Sequence, residues 1–228
     1  MQLSDKHHKP VRSFVLRQGR ITAAQRKALG SLWQHYGVEC VGATLDLDRL
    51  FGRCAPRVLE IGFGMGDALA TLALAHPEQD FLGVEVHRPG VGNLLRLLAE
   101  QQTSNVRILC ADAVEILHQY LPDAAFDKVQ LFFPDPWPKR RHHKRRIVQP
   151  DFIALATRKL KPGGRLHLCT DWEDYALQML DVLNATPQLV NTSETGPYTS
   201  RGERPPSKFE RRAIREGRGV WDLVFLAH

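Results

Sequence analysis

Short apolar runs alternate with longer amphipathic segments over most of this chain. The apolar runs are typical of buried strands, and they predict strands over Arg57–Ile61, Phe81–Val86, Val106–Ala111, Lys128–Phe133, Arg165–Thr170, Gln188–Ser193 and Val220–Ala227. The amphipathic segments predict helices over Thr22–His35, Asp67–Ala75, Pro89–Gln101, Ala113–Tyr120, Pro150–Leu160 and Trp172–Ala185. Because strands and helices alternate, we expect an α/β fold whose mostly parallel sheet is covered by helices on both faces.

One segment, residues 194–219, breaks this alternation because it is polar, basic and rich in Pro and Gly. A segment of this length inside a domain is usually functional or disordered. Within it, Ser207 and Glu210 have the spacing that opens a helix. A short helix over Ser207–Glu216 is therefore predicted.

The composition is that of an ordinary globular protein, with 43% hydrophobic and 25% charged residues among 228. It excludes a disordered chain, and the length fits one domain over residues 22–228 behind a flexible basic arm over 1–21. No run approaches the roughly 18 apolar residues of a membrane helix, and the first residues lack the apolar segment of a signal peptide, so we expect a cytoplasmic protein. Scattered cysteines and histidines that lie among cations predict no metal site.

The formal net charge of +6 is unevenly distributed. Basic residues cluster in residues 1–20, 139–146 and 201–218, whereas the rest of the chain is acidic overall. Such patches indicate a polyanionic partner, although solvated surface charge is the simpler interpretation of the first one.

A glycine-rich turn follows the first predicted strand, with Gly62, Gly64 and Gly66 in a G-x-G-x-G pattern. The dinucleotide fingerprint instead has G-x-G-x-x-G and seats a pyrophosphate on a helix N-terminus. Here Glu60 and Asp67 flank the turn with negative charge, which would repel pyrophosphate. The turn by itself is weak support for any ligand, but its charge favours a cationic one such as S-adenosylmethionine.

Carboxylates also close the next two predicted strands. Glu85 ends the second strand, where it could accept hydrogen bonds from two ribose hydroxyls. Asp112 and Ala113 end the third, where a carboxylate could accept from an adenine amino group. Carboxylates at three successive strand ends favour a methyl-donor site.

The fourth strand leads into the string LFFPDPWPKRRHHKRR. Pro134 and Pro136 fix their own φ and are expected to push Phe133 and Asp135 towards extended geometry, so that a stiff elbow presents Asp135. A carboxylate held there could accept hydrogen bonds from a planar substrate edge; the alternative is a turn residue that bonds its own backbone. Trp137 could equally stack on a base or pack beneath the loop.

The basic run that follows, residues 139–146, contains six cations and no acid. Repulsion within it favours an exposed loop, and Arg geometry suits phosphate oxygens. A nuclear-localisation signal is the alternative, but the position beside the elbow favours nucleic acid.

The strings RSFVLRQGRIT, LEIGFGMG, FFPDPWPKRRHHKRR, CTDWEDYA and SKFE, in this order, resemble those of the bacterial tRNA (guanine-N7)-methyltransferase family. The resemblance extends from about Arg12 to the final strand, and the fourth-strand string is its most specific part. It implies a Rossmann-like class I methyltransferase fold, with seven strands of which the last is antiparallel. It also implies methyl transfer from S-adenosylmethionine to N7 of guanine 46 in the variable loop of tRNA.

The resemblance assigns roles to individual residues. Those implied to bind the donor are Glu60, Gly62, Gly64, Gly66, Glu85, Asp112, Ala113 and Asp135, of which Asp135 is also implied to be catalytic. Those implied to bind the substrate are Lys139, Asp171, Ser207, Lys208, Phe209 and Glu210. Those implied to contact RNA are Arg140, Arg141, His142, His143, Lys144, Arg145 and Arg146. Ser207 departs from the Thr that the family usually has, but it keeps the hydroxyl.

Two other functions stay open at this point: another methyltransferase acting on a base amino group or on protein, and an RNA-binding module without catalysis. Retention of the glycines and of the strand-end carboxylates argues against the second. The sequence leaves monomer and homodimer as alternatives.

Overall fold

Seven strands form one sheet in the computed structural model, which describes residues 13–14 and 19–228. The strands are β1 Arg57–Ile61, β2 Asp80–Val84, β3 Val106–Leu109, β4 Phe126–Phe132, β5 Leu160–Thr170, β6 Leu189–Asn191 and β7 Trp221–Ala227. Their order is β3-β2-β1-β4-β5-β7-β6. Neighbours from β3 to β5 are parallel, and β7 is antiparallel to β5 and to β6. The predicted fold class is confirmed.

Helices connect the strands and cover the sheet. They are α1 Ala23–Ser31, α2 Trp33–Tyr36, α3 Leu47–Phe51, α4 Asp67–Ala75, α5 Arg88–Glu100, α6 Ala113–Gln119, the 3₁₀ helix η1 Arg140–Arg145, α7 Pro150–Lys159, α8 Glu173–Asn184 and α9 Lys208–Arg215. The first predicted helix is divided at Leu32, and its capping box of Thr22 and Gln25 is present. The predicted flexible arm lies mostly outside the described residues.

Apolar residues alternate across the sheet, so a core forms on each face. Leu59 and Ile61 of β1 face the larger core with α6, α7 and α8. Val58 faces the second core, which α1, α4 and α5 complete. All five residues of β1 are buried, as expected for a central strand of a parallel sheet.

One part of the sheet is polar where a core would be expected. Gln130 of β4 pairs with His167 of β5. Asp222 of β7 pairs with Cys169, two residues beyond His167 on β5. The side chains of Gln130, His167 and Asp222 are all buried. Within the described part of the chain, no helix is long and apolar enough to cross a membrane.

Candidate active site

The carboxyl ends of β1 to β4 bring the predicted donor residues to one edge of the sheet. The strand order reverses between β1 and β4, because β1 is followed by β2 and β3 on one side and by β4 on the other. Ligands of open α/β sheets bind at such a point. Glu60, Glu85, Asp112 and Asp135 lie in these four strands or within three residues of their ends.

The glycine turn has a backbone that other residues would strain. Gly64 has φ +59°, and a Cβ there would meet no described atom within 4 Å, so it would project into open space. Gly66 has φ +80° as the N-cap of α4, and a Cβ there would come within 2.6 Å of Leu94. Gly62 also has positive φ. The turn thus offers an open cradle lined by backbone.

Glu85 fastens this turn to the end of β2. Its Oε2 accepts from the Gly64 N–H at 2.8 Å, while Oε1 accepts from the N–H groups of Val86 at 2.7 Å and His87 at 2.9 Å. Since each carboxylate oxygen can accept two hydrogen bonds, Oε2 retains one position for a ligand.

Glu60 lies buried beside that turn. Its Oε2 has no hydrogen-bond partner among the described residues, and neither has Oε1 of Gln130, its neighbour in register on β4. Burial, with a contribution from the charge of Glu85, raises the pKa of Glu60 to about 8. Two buried acceptors without donors fit a ligand that brings N–H groups and positive charge, as S-adenosylmethionine does.

Asp112 has a local structural role. Its Oδ1 accepts from the Val114 N–H at 2.9 Å, so it is the N-cap of α6, which begins at Ala113. Both Asp112 and Ala113 are half-buried at the end of β3.

The elbow after β4 differs from the expected geometry. Phe133 has φ +51° rather than an extended conformation, so that prediction was wrong. Its N–H donates to the Cys169 carbonyl at 2.8 Å, and its ring stacks on Phe209 with centroids 5.8 Å apart. These contacts outweigh the preference that Pro134 imposes on the residue before it. Asp135 is exposed at this elbow.

Trp137 packs beneath the basic segment. The Arg145 guanidinium lies 4.0 Å from its ring centroid, and its Nε1 donates to the Ser13 carbonyl at 3.2 Å. The His142 ring also lies nearly perpendicular to it, with centroids 5.9 Å apart. Of the two roles left open for Trp137, the structure favours packing.

The basic segment forms the 3₁₀ helix η1 rather than the expected loop. Arg140, Arg141 and Lys144 are exposed on it, as is Lys139 at its N-cap, while His142, His143 and Arg145 are half-buried. Partial desolvation and neighbouring cations lower the pKa of His142 below its usual range.

Arg146 is buried and bound within the protein. It donates to the Pro136 carbonyl at 2.8 Å, to Gln178 Oε1 at 2.6 Å and to Asp174 Oδ2 at 2.5 Å. Its side chain is 1% exposed. Arg146 therefore stabilises the base of the segment, which corrects its expected contact with RNA.

The predicted substrate residues after β5 and in α9 lie close to the elbow. Ser207 is the N-cap of α9 and accepts from the Glu210 N–H at 3.1 Å, as its spacing predicts. Lys208 and Phe209 are exposed. Asp171, at the end of β5, is ion-paired with Arg218.

Glu210 turns inward instead of towards a substrate. Its Oε2 accepts from Arg204 at 2.8 Å, and Arg204 also binds both oxygens of Asp222 at 2.9 Å. Arg204 and Asp222 were missed in the sequence. The available signal was a carboxylate in the middle of the apolar run VWDLVFLA. Among the described residues, no group of three or more His, Cys, Asp or Glu could hold a metal ion.

Comparison with known proteins shows the protein family to which the chain belongs. A family model described as "Putative methyltransferase" matches residues 54–223. The chain is 57% identical over 219 residues to a tRNA (guanine-N(7)-)-methyltransferase of Alkalilimnicola ehrlichii, covering 95% of this chain and 92% of that protein.

Two solved structures share the fold. The 16S rRNA methyltransferase KamB superposes with a TM-score of 0.61 at 15% identity, covering 85% of this chain and 98% of that one. The 16S rRNA (adenine(1408)-N(1))-methyltransferase of Catenulisporales acidiphilia, solved with cosubstrate SAM, gives a TM-score of 0.54 at 19% identity and covers 81% and 92%. At such low identities the likeness is one of fold alone.

Proposed function

The chain belongs to the tRNA (guanine-N7-)-methyltransferase family and uses S-adenosylmethionine as methyl donor, and from this premise we propose that it methylates guanine 46 in the variable loop of bacterial cytoplasmic tRNA. One observation carries the proposal. An acidic, glycine-lined edge of the sheet adjoins an elbow that presents Asp135 and leads directly into four exposed cations. The acidic edge suits a cationic donor, and the adjacent cations suit a polyanionic RNA.

The residues at the acidic edge fit the donor. Glu60 and Gln130 supply unpartnered buried acceptors, Glu85 retains an acceptor position, and the turn at Gly64 leaves room for close approach. When bound, S-adenosylmethionine supplies an electrophilic methyl group. Ionised Glu60 would hold the positive charge of the donor at this edge.

Asp135 positions the guanine. Guanine N7 carries a lone pair and no proton, so the reaction requires no base to generate the nucleophile. A carboxylate that accepts from the guanine N1–H and amino group would align N7 and would stabilise the purine as it becomes cationic. The exposed Asp135 on its strained elbow suits this role.

Four cations of the basic segment contact RNA phosphates in this proposal: Lys139, Arg140, Arg141 and Lys144. Their charges lie on the exposed side of η1. The opposite side of η1 packs on the protein through Arg146 and Trp137. A fixed surface of this kind holds phosphates in one register relative to the elbow.

The test is product identification. Unmodified tRNA transcripts with guanine or adenine at position 46 are incubated with methyl-labelled donor, digested and analysed by mass spectrometry. We expect 7-methylguanosine from the first transcript and none from the second. Label on another atom, or equal label in both transcripts, would contradict the proposal.

A further inference from the structure

The polar part of the sheet is covered by the segment over residues 199–210. Thr199 at its start donates to the backbone carbonyl of Asp222 at 2.9 Å. Arg204 in its middle binds the Asp222 carboxylate through two nitrogens, and His167 Nε2 lies 2.8 Å from the same carboxylate. The strand β7 therefore anchors the segment through both backbone and side chain.

Arg204 is the centre of this arrangement. Its side chain is 1% exposed, and those of Asp222 and Glu210 are 4% and 7% exposed. A bidentate Arg–carboxylate pair fixes direction as well as distance. The third nitrogen donates to Glu210 at 2.8 Å, so α9 is held in a defined position relative to β7.

The same guanidinium also contacts the elbow. Its central carbon lies 5.3 Å from the ring centroid of Phe133 and 5.6 Å from that of Phe132. Phe133 stacks in turn on Phe209 at the start of α9. Arg204 thus contacts both segments that are expected to hold the guanosine.

Glu210 has both carboxylate oxygens engaged, one by Arg204 and one by Arg201 at 3.3 Å. A buried carboxylate with two arginine partners is poorly placed to accept from a base as well. The inward direction of Glu210 gives it a structural function that the sequence pattern did not predict.

We propose that Arg204 is a positioning residue for methyl transfer, which docks α9 on β7 and sets the distance between Asp135 and the Ser207–Phe209 turn. This rests on the proposed function. Arg204 acts through Glu210 and Phe133, because its side chain is 1% exposed and has no surface to offer substrate or donor. A misplacement of about 1 Å in a reacting geometry can cost about a hundredfold in rate.

The kinetic experiment compares Arg204→Met, Arg204→Lys and Glu210→Gln with Lys159→Met. Lys159 is a matched control: its side chain is 4% exposed and paired with Asp123 at 2.5 Å, but it lies before β5 at the far end of the sheet from the elbow. We expect Arg204→Met to lower kcat on tRNA by about a hundredfold, with the Kd for S-adenosylmethionine changed by less than about threefold. Arg204→Lys and Glu210→Gln should each lower kcat by a smaller factor. Lys159→Met should leave kcat unchanged while its Tm falls.

The energetic coupling between Arg204 and Phe209 can be measured with a double variant, and general destabilisation of the protein would not produce such coupling. Because Arg204 acts partly through the position of Phe209, the double variant Arg204→Met/Phe209→Ala should be little slower than Arg204→Met alone. Full additivity of the two losses, or a kcat loss in Lys159→Met equal to that in Arg204→Met, would overturn the proposal.

Amide hydrogen exchange tests the docking step without any activity. Arg204→Met should raise exchange over residues 199–215 by about tenfold or more, with β1 to β3 unchanged. Unchanged exchange in that segment would refute the proposal even if kcat fell. A wild-type protein that makes no 7-methylguanosine would contradict the proposed function instead, and the exchange result would still decide whether Arg204 docks α9.

Discussion

The rings of Phe133 and Phe209 stack with centroids 5.8 Å apart and planes inclined by 24°, although 76 positions separate them in the chain. Phe133 directly follows β4 in a left-handed conformation, and Phe209 lies in the first turn of α9. The stack joins the elbow that presents Asp135 to the turn that begins at Ser207.

Loss of this stack should reduce catalysis more than stability. An aromatic pair contributes about 0.5 to 1.5 kcal/mol beyond its buried area, and Phe209 is 45% exposed, so Phe209→Ala should lower Tm only slightly. We expect kcat/KM on tRNA to fall by about tenfold or more, because the two segments lose their fixed spacing. Ile214→Ala is the control, since Ile214 is 66% exposed on the same helix. Equal losses in both variants would contradict this role.

Asp135→Asn should slow the reaction far more than it weakens donor binding. The amide keeps the size of the side chain but removes the charge that stabilises a cationic purine. We expect kcat to fall by about a hundredfold or more, with the Kd for S-adenosylmethionine changed by less than about threefold. Single-turnover kinetics and calorimetry measure the two quantities, and near-normal turnover would exclude the role.

The exposed cations of η1 should determine the salt dependence of tRNA binding. Each phosphate contact contributes just under one unit to the slope of log K against log salt concentration. Arg140→Ala/Arg141→Ala should therefore flatten that slope by about one to two units. An unchanged slope would make these residues ordinary surface charges.

Arg146→Ala should lower the stability of the fold, in contrast to substitutions of the exposed cations of the same run. The substitution leaves the Pro136 carbonyl and Gln178 without their donor and removes an ion pair with Asp174. We expect the free energy of unfolding to fall by about 3 kcal/mol, measured by urea denaturation. Arg141→Ala, an exposed neighbour in the run, should stay within about 0.5 kcal/mol of the wild type.

Glu60 should make both stability and donor binding depend on pH. Its pKa is raised from 4.5 to about 8, so between these values the folded protein retains a proton that the unfolded chain has lost. Stability without donor should therefore fall as pH rises through this window, by up to about 1.4 kcal/mol per pH unit, and level off above it.

Binding of the cationic donor favours ionised Glu60, so near pH 7 it should release close to one proton. Calorimetry in two buffers of different ionisation enthalpy measures this release. Glu60→Gln should abolish both effects, and an unchanged proton count in that variant would refute the assignment.

The gathering of Glu60, Glu85 and Asp112 at one edge of the sheet was predictable because parallel strands bring their carboxyl ends together. Glu60, Glu85 and Asp112 were identified from strand ends alone, without any knowledge of contacts between distant residues. The predicted cap at Ser207 was likewise confirmed, since a capping pattern is local in sequence.

The substrate side was less predictable because its geometry depends on long-range contacts. A run of cations looks uniform in sequence, yet Arg146 finds Gln178 and Asp174 on α8 and becomes buried. Phe133 departs from the preference set by Pro134 because Cys169 and Phe209 hold it. These partners lie far apart in the chain, so the contacts are visible only in the folded structure.

The position of β7 between β5 and β6 imposes an order on assembly during synthesis. The strands β1 to β5 can pair as they emerge, but β6 has no neighbour until β7 has been made. Since Asp222 belongs to β7, the anchor for α9 also comes last. The segment over residues 199–210 therefore gains its anchor only when the last strand of the sheet has been made, whereas the edge that carries Glu60 and Glu85 is built from strands that precede it in the chain.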